Sequence, residues 1–200
     1  MLRLITAPTD AVLTLAEVRD HCRVDDGDTA PNTRLAALIA AATAYLDGGE
    51  GILGRCLLPQ TWEYYGPTWP RNLPLPPTIA VASVKYLDLA GVEQTLAVDQ
   101  YRVIYGTTVA GATIWPAIGT TWPETDIAPD AVRVRFSAGY APTDASPPVS
   151  QVPLGIRQAM LLMVSHWYEN RSEVVVGTSA VPLPMGAAEL LAPHRLNLIA

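Results

Sequence analysis

Prolines divide this chain. It has 18 of them, more than the roughly 5% of an average protein, and many lie between residues 59 and 153. Proline has no backbone N–H and a fixed φ, so it interrupts helix interiors and central strands alike. That stretch is expected to hold short strands and loops, with the longer helices on either side of it.

The flanks carry helix signals. Residues 1–13 look extended. Thr14 with Glu17 three residues on forms a capping box for a short helix from Leu15 to about Cys22. The acidic segment Asp25–Asp28, with Gly27, reads as a turn. A second helix follows, capped by Asn32 or Thr33. Leu35, Leu38, Ile39, Ala42, Tyr45 and Leu46 fall on one of its faces at helical spacing. Alanine fills most of the remaining positions and is the best helix former. Two readings of those alanines stay open: burial against both the core and a neighbouring subunit, or a well-packed internal helix. Gly48 and Gly49 end the helix. After residue 150, Pro153 opens a helix on which Ile156, Met160, Met163, Val164 and Trp167 share an apolar face, ending near Arg171. Residues 172–186 read as a mobile loop. A short helix, Ala187–Leu191, precedes Pro193 and an apolar tail.

Between residues 57 and 140 the period is two. Strands are expected at Thr61–Tyr65, Ile79–Leu87, Val92–Val98, Tyr101–Tyr105 and, most clearly, Ala131–Tyr140. In the last, Val132, Val134 and Phe136 alternate with Arg133 and Arg135. Asp88–Gly91 turns one strand into the next. The segments 66–77 and 115–130, rich in Trp, Pro and Gly, read as links. Blocks of helix, strand and helix imply an α+β fold. The expected architecture is one domain: a helical bundle built from residues 1–56 and 151–200, with a small antiparallel β-subdomain, residues 57–150, inserted between them.

Composition excludes several function classes. Half of the residues are apolar and 16% are charged, which is not the signature of disorder. Net charge is −6 and there is no basic run, so a tight grip on nucleic acid is not expected. The longest apolar run, Leu35 to Leu46, is too short for a membrane span of about 18 or more residues. No signal-peptide pattern opens the chain, so it reads as a soluble protein made in the cytoplasm. Cys22 and Cys56 have no metal-ligand spacing and read as small buried groups in a reducing compartment.

Catalytic and cofactor signals are weak. Gly49–Gly54 matches G-x-G-x-x-G, but it follows a helix and leads towards a strand, the reverse of a dinucleotide site, and Glu50 would repel phosphate. It reads as a helix-ending turn. His166 with Glu169 and Glu17 with His21 are helical pairs that each lack further metal ligands. There is no Gly-x-Ser-x-Gly and no cysteine in a reactive context. No cofactor, metal or catalytic residue is assigned. Five tryptophans favour cores and interfaces.

The order of four segments resembles a known family. These are TRLAALIAAATAYLDGGEGILGRCLLPQTWEYY (33–65), LPLPPTIAVASVKYLDLAGVEQTL (73–96) followed by QYRVI (100–104), AVRVRFSAGY (131–140), and VPLGIRQAMLLMVSHWYENR (152–171) with LLAPHRL (190–196). Together they cover about half of the chain. The combination resembles the head–tail connector (adaptor) proteins of tailed phages and gene transfer agents. The resemblance implies small helical bundles with a β-insertion that assemble as rings, typically twelve-fold, on the portal protein. Such rings extend the DNA channel, let DNA pass without tight binding, and dock the next tail component, a stopper or tail terminator. It implies assembly in the cytoplasm and then residence in the particle. Carried onto this chain, Pro193, Arg195, Leu196, Leu198 and Ile199 would meet the portal, unless that tail packs on its own domain. Ala36, Ala40, Ala44 and Trp167 would meet the neighbouring subunit. Asp25, Asp26, Asp28 and Glu173 are candidates to face the channel. The rival readings are another tail-completion or stopper ring, and a small enzyme with a cryptic site.

Overall fold

The structure is a computed structural model and describes residues 1–106, 111–143, 150–170 and 185–196. In chain order its elements are β1 (Leu2–Thr6), α1 (Leu15–His21), α2 (Asn32–Leu46), β2 (Gln60–Gly66), β3 (Thr78–Leu87), β4 (Glu93–Thr95), β5 (Tyr101–Ile104), β6 (Thr113–Pro116), β7 (Val132–Ala138), α3 (Leu154–Glu169) and α4 (Met185–Leu191). Short 3₁₀ turns at Val98–Gln100 and Ala192–His194 complete the described set.

Five strands form an antiparallel sheet in the order β1-β2-β7-β3-β4, and β5 pairs with β6 as a separate hairpin. β7 sits in the middle because its alternation suits it there. Val132, Val134, Phe136 and Ala138 are fully buried on one face, while Arg133 and Arg135 stand on the other. The buried row packs on Val84 of β3, on Leu73 and Leu75, and on Tyr101 and Ile114 of the hairpin. A second core lies among the helices: Val18 of α1, Leu35, Ile39 and Leu46 of α2, Ile156, Met160 and Met163 of α3, and Ala187 and Leu191 of α4. Leu53, Leu57, Leu58 and Tyr140 belong to this helical core although they adjoin the strands. The Tyr140 N–H donates to the Leu57 carbonyl, and the Gly139 N–H to that of Pro77.

The capping box forms as expected. Thr14 Oγ1 accepts from the Glu17 N–H, and Glu17 Oε2 accepts from the Thr14 N–H at 2.8 Å. The expected cap of α2 does not form. Asn32 lies inside the helix and its Oδ1 instead accepts from Arg19 Nη1 at 2.5 Å. Pro153 precedes the first turn of α3, and its carbonyl accepts from the Ile156 and Arg157 N–H groups.

The expected architecture, a helical bundle with a small inserted β-subdomain, is overturned. Among the described residues there are four helices and seven strands in two antiparallel sheets, 29% helical and 25% strand. The reason is partly local. α1 and α4 have seven residues each, too few for bundle helices. It is also topological. The N-terminal residues Leu2–Thr6 leave the helical part and pair with β2, supplying an edge of the large sheet. A further strand, β6, was not expected, and its last two residues fall in the stretch read as a link. The loop read at 172–186 falls almost wholly outside the described residues.

Candidate functional site

Three surfaces carry the features that a structural, assembling protein would use. The first is the outer side of α2. Leu35, Ile39, Ala42 and Leu46 turn inward and are buried, so Ala36, Ala40 and Ala44 turn out and are exposed together with Tyr45, at 41%. Of the two readings of the alanines, burial inside the subunit does not apply to these three. Below them α2 ends in a turn under Trp62. Gly51 belongs to the G-x-G-x-x-G match, and a Cβ there would stand 2.4 Å from the Leu46 carbonyl carbon. These glycines therefore close a helix end, and the turn leads to β2 as read. Asp47 Oδ1 accepts from the Leu57 N–H at 2.6 Å and from Gln60 Nε2 at 3.0 Å. Burial pushes the Asp47 carboxyl up, against those hydrogen bonds.

The second surface is the open face of the large sheet, which is a ladder of alternating charge. Glu63 of β2, almost buried, accepts from Arg3 of β1 at 2.5 Å and from Arg135 of β7 at 2.9 Å. Burial alone would raise the Glu63 carboxyl, but the hydrogen bonds and charges of Arg135 and Arg3 hold it below the usual carboxylate range. Lys85 and Arg133 share Glu93, and Arg133 also meets Asp130 at 2.6 Å. Each cation of this ladder has its carboxylate, so the face does not present free charge to a phosphate backbone. Sequence reading placed Arg133 and Arg135 on one face but could not supply Glu93 and Glu63, their partners 40 and 72 residues away.

The third surface is the β5–β6 hairpin. Tyr101 and Ile114 point into the core. Arg102 and Ile104 on one strand and Trp115 on the other point out, with Arg102 directly opposite Trp115. The Arg71 guanidinium lies 4.8 Å from the Trp115 ring centre. The remaining tryptophans behave differently. Trp69 stacks on Trp122 at 4.4 Å and donates to the Pro123 carbonyl, and Trp62 packs partly buried against the sheet core.

The whole chain superposes on solved chains of virus-like assemblies. One, from the neck of an empty gene transfer agent particle computed with C6 symmetry, aligns at a TM-score of 0.74 and 25% identity, covering 100% of this chain and 97% of that one. A second, from the virion of a native gene transfer agent particle, gives 0.73 and 26% at the same coverage. A third, from the neck of a native particle computed with C12 symmetry, gives 0.67 and 25%, again at the same coverage. The likeness is to structural parts of a gene transfer agent particle. It agrees with the head–tail connector resemblance seen in the sequence. No protein-family model and no curated protein matches the chain.

Trp167 is half-buried on α3 and packs against the helical core. Its carbonyl and that of Tyr168 accept from Arg34 Nη2 at 3.1 Å each, tying the start of α2 to the end of α3. In the tail, Pro193 and Arg195 are exposed, while the Leu196 N–H donates to the Leu53 carbonyl at 3.1 Å. His194 lies over Gly155, where a Cβ would come within 3.1 Å of its Nε2. Burial, then the Arg55 charge, lowers its pKa. Leu198, Ile199 and Glu173 lie outside the described residues. Asp25, Asp26 and Asp28 are exposed, and Arg19 gathers their loop by donating to the Asp25 and Asp28 carbonyls at 2.6 Å.

Of the enzymatic candidates, Glu169 lies near enough to Cys22 for its charge to act on the thiol. His166 and Glu169 are exposed on α3, with His166 next to Asn170. Glu17 serves the α1 cap and an ion pair with Arg157. Burial pushes both thiols up, that of Cys56 most, so neither cysteine is an activated nucleophile. Among the described residues no three His, Cys, Asp or Glu side chains gather as metal ligands would.

Proposed function

We propose that this chain is a head–tail connector (adaptor) subunit of a phage-like particle. In this reading it forms a homo-oligomeric, twelve-fold ring under the portal protein, extends the DNA channel, and docks the next tail component, a stopper or tail terminator. The observation that carries the reading is the end-to-end likeness to neck chains, with 100% of this chain aligned. A shared fold over part of the chain would say less, because folds are reused. The symmetries of those necks support a ring. Its mechanism is geometric: oligomerise, seat on the portal, present a rim. The paired charges of the sheet face and the net charge of −6 suit a channel wall that lets DNA slide past.

We assign Pro193, Arg195, Leu196, Leu198 and Ile199 to the portal contact, and Ala36, Ala40, Ala44 and Trp167 to the contact between subunits. The exposed position of the three alanines supports the second assignment. The Leu196–Leu53 hydrogen bond favours a second reading of the tail, in which residues up to 196 complete the helical layer of their own subunit. We also keep the division into 1–56, 57–150 and 151–200 as parts of one domain, with β1 crossing from the first part to the sheet.

The test is size-exclusion chromatography with light scattering, on the protein alone and mixed with its portal protein. The full chain is compared with one ending at Ala192. A full-length chain that joins the portal as a ring, beside a truncation that does not, supports the adaptor reading and the tail contact. A ring from both chains moves the portal contact elsewhere. No association by either chain refutes the adaptor reading in favour of another tail part.

A further inference from the structure

Among the surface cations, Arg71 and Arg102 stand out. Arg3, Lys85, Arg133, Arg135 and Arg157 each have a carboxylate, and Arg19 and Arg34 are held by carbonyls. Arg71 and Arg102, like Arg23 and Arg195, have no acidic partner among the described residues, and of the four only the first two adjoin an exposed tryptophan. They flank Trp115, and Ile104 lies on the same face, 54% exposed. Val98 and Ile118, at the near end of the hairpin, are 80% and 83% exposed. An aromatic ring between two arginines, set in exposed aliphatic surface, is the composition of a protein contact centre.

A complementary surface exists elsewhere on the same chain. At the β1 edge a cleft of about 550 Å³ opens between the sheet and the end of α2, lined by Leu2, Leu4, Pro8, Ala44, Trp62 and Glu50. Leu4 is 43% exposed. Glu50 lies exposed, with no cationic partner among the described residues. One patch thus sets unpaired guanidinium groups in apolar surface, and the other sets the unpaired Glu50 carboxylate beside apolar side chains and the mutually bonded Asp47 and Gln60.

We propose that the β5–β6 hairpin of one subunit docks into the α2/β1 cleft of the next copy of this chain, with Trp115 and Ile104 on Leu4 and Ala44, and Arg71 or Arg102 on Glu50. The proposal rests on the ring reading above and names the contact that would build the ring. Two different patches on one chain give the heterologous contact that a closed ring requires. A nucleic-acid partner is less well matched, because the surface between the arginines is apolar and the chain is acidic overall.

The experiment uses full-length chains with Cys22 replaced by serine. One carries Leu4→Cys and the other Ile104→Cys, and both positions are exposed enough to accept the change. Each is oxidised alone and as an equal mixture, in the presence of the portal protein, with oligomer mass read by light scattering. The expected result is a disulfide-linked dimer in the mixture and none from either chain alone. Oligomers without a mixed disulfide overturn this pairing and leave the ring reading standing. Links from either chain alone mean a two-fold contact and overturn it as well. No oligomer at all removes the ring reading and the pairing with it. Retention of DNA that is lost with Arg71→Ala would make the patch a phosphate site and also refute the proposal.

Discussion

Replacing Gly139 by alanine tests the joint between the two cores. Gly139 follows β7 with φ +125°, a conformation that side chains disfavour. A Cβ there would stand 2.1 Å from the Leu58 carbonyl oxygen and 2.7 Å from the Pro59 nitrogen. These are backbone atoms, so no side chain can swing aside. The end of β7 must retreat, and with it go the Gly139–Pro77 and Tyr140–Leu57 hydrogen bonds. Backbone strain costs about 1–3 kcal/mol and each lost hydrogen bond about 1 kcal/mol. The sum is about 3–5 kcal/mol, a large part of the roughly 5–15 kcal/mol that holds a domain together. With a urea slope of about 2 kcal/mol/M, the unfolding midpoint falls by about 1.5–2.5 M. Gly119→Ala is the control. Its φ is +80° but nothing lies within 4 Å of its Cβ, so it carries only the conformational cost of about 1–2 kcal/mol. Urea unfolding of the two variants side by side decides the matter. Equal midpoint shifts would refute the argument that backbone crowding at the joint, and not φ, makes this glycine necessary.

Further outcomes follow from single contacts. Thr14→Ala removes the α1 cap and is expected to cost about 1 kcal/mol in thermal or urea unfolding. Tyr140→Phe takes from buried Arg55 the hydroxyl that its Nη1 donates to at 2.8 Å, with an expected loss of about 1.5–3 kcal/mol, measured the same way. Glu63 has a folded pKa below its unfolded value of about 4.5, so its stabilisation is complete above that value and is lost as pH falls through the folded pKa. Unfolding midpoints measured from pH 7 down to pH 3 should drop in the native chain, and Glu63→Gln should flatten that drop.

What could be read from the sequence was whatever had a strong period. β7 announces itself because burial on one face forces strict alternation from Val132 to Ala138. α3 does so because Ile156, Met160, Met163 and Val164 repeat at helical spacing. β1 could not be read in the same way. Four of its five residues are exposed, so no buried face imprints a pattern, and only pairing with β2 makes it a strand. β6 was hidden because Pro116 ends it and its neighbours look like a link. The alanines of α2 were ambiguous because alanine suits either side of a helix, and only the buried partners Leu35, Ile39 and Leu46 decide which side is out. Of the candidate contact surfaces, the Arg71–Trp115 stack and the Glu63 ladder join residues tens of positions apart. Nothing local signals either.

The position of β7 bears on how the chain is made. It fills the middle of the large sheet, between β2 and β3, yet among the described strands it is the last to leave the ribosome. Until residue 138 is free, β2 and β3 each present an open hydrogen-bonding edge where their shared neighbour will stand. The sheet therefore cannot close progressively as the nascent chain emerges. It must condense late, around long-range pairings, which makes folding slow and exposes the half-made subunit to aggregation. If the chain builds the ring proposed above, assembly would inherit that delay, and the supply of subunits would be limited by the completion of single chains.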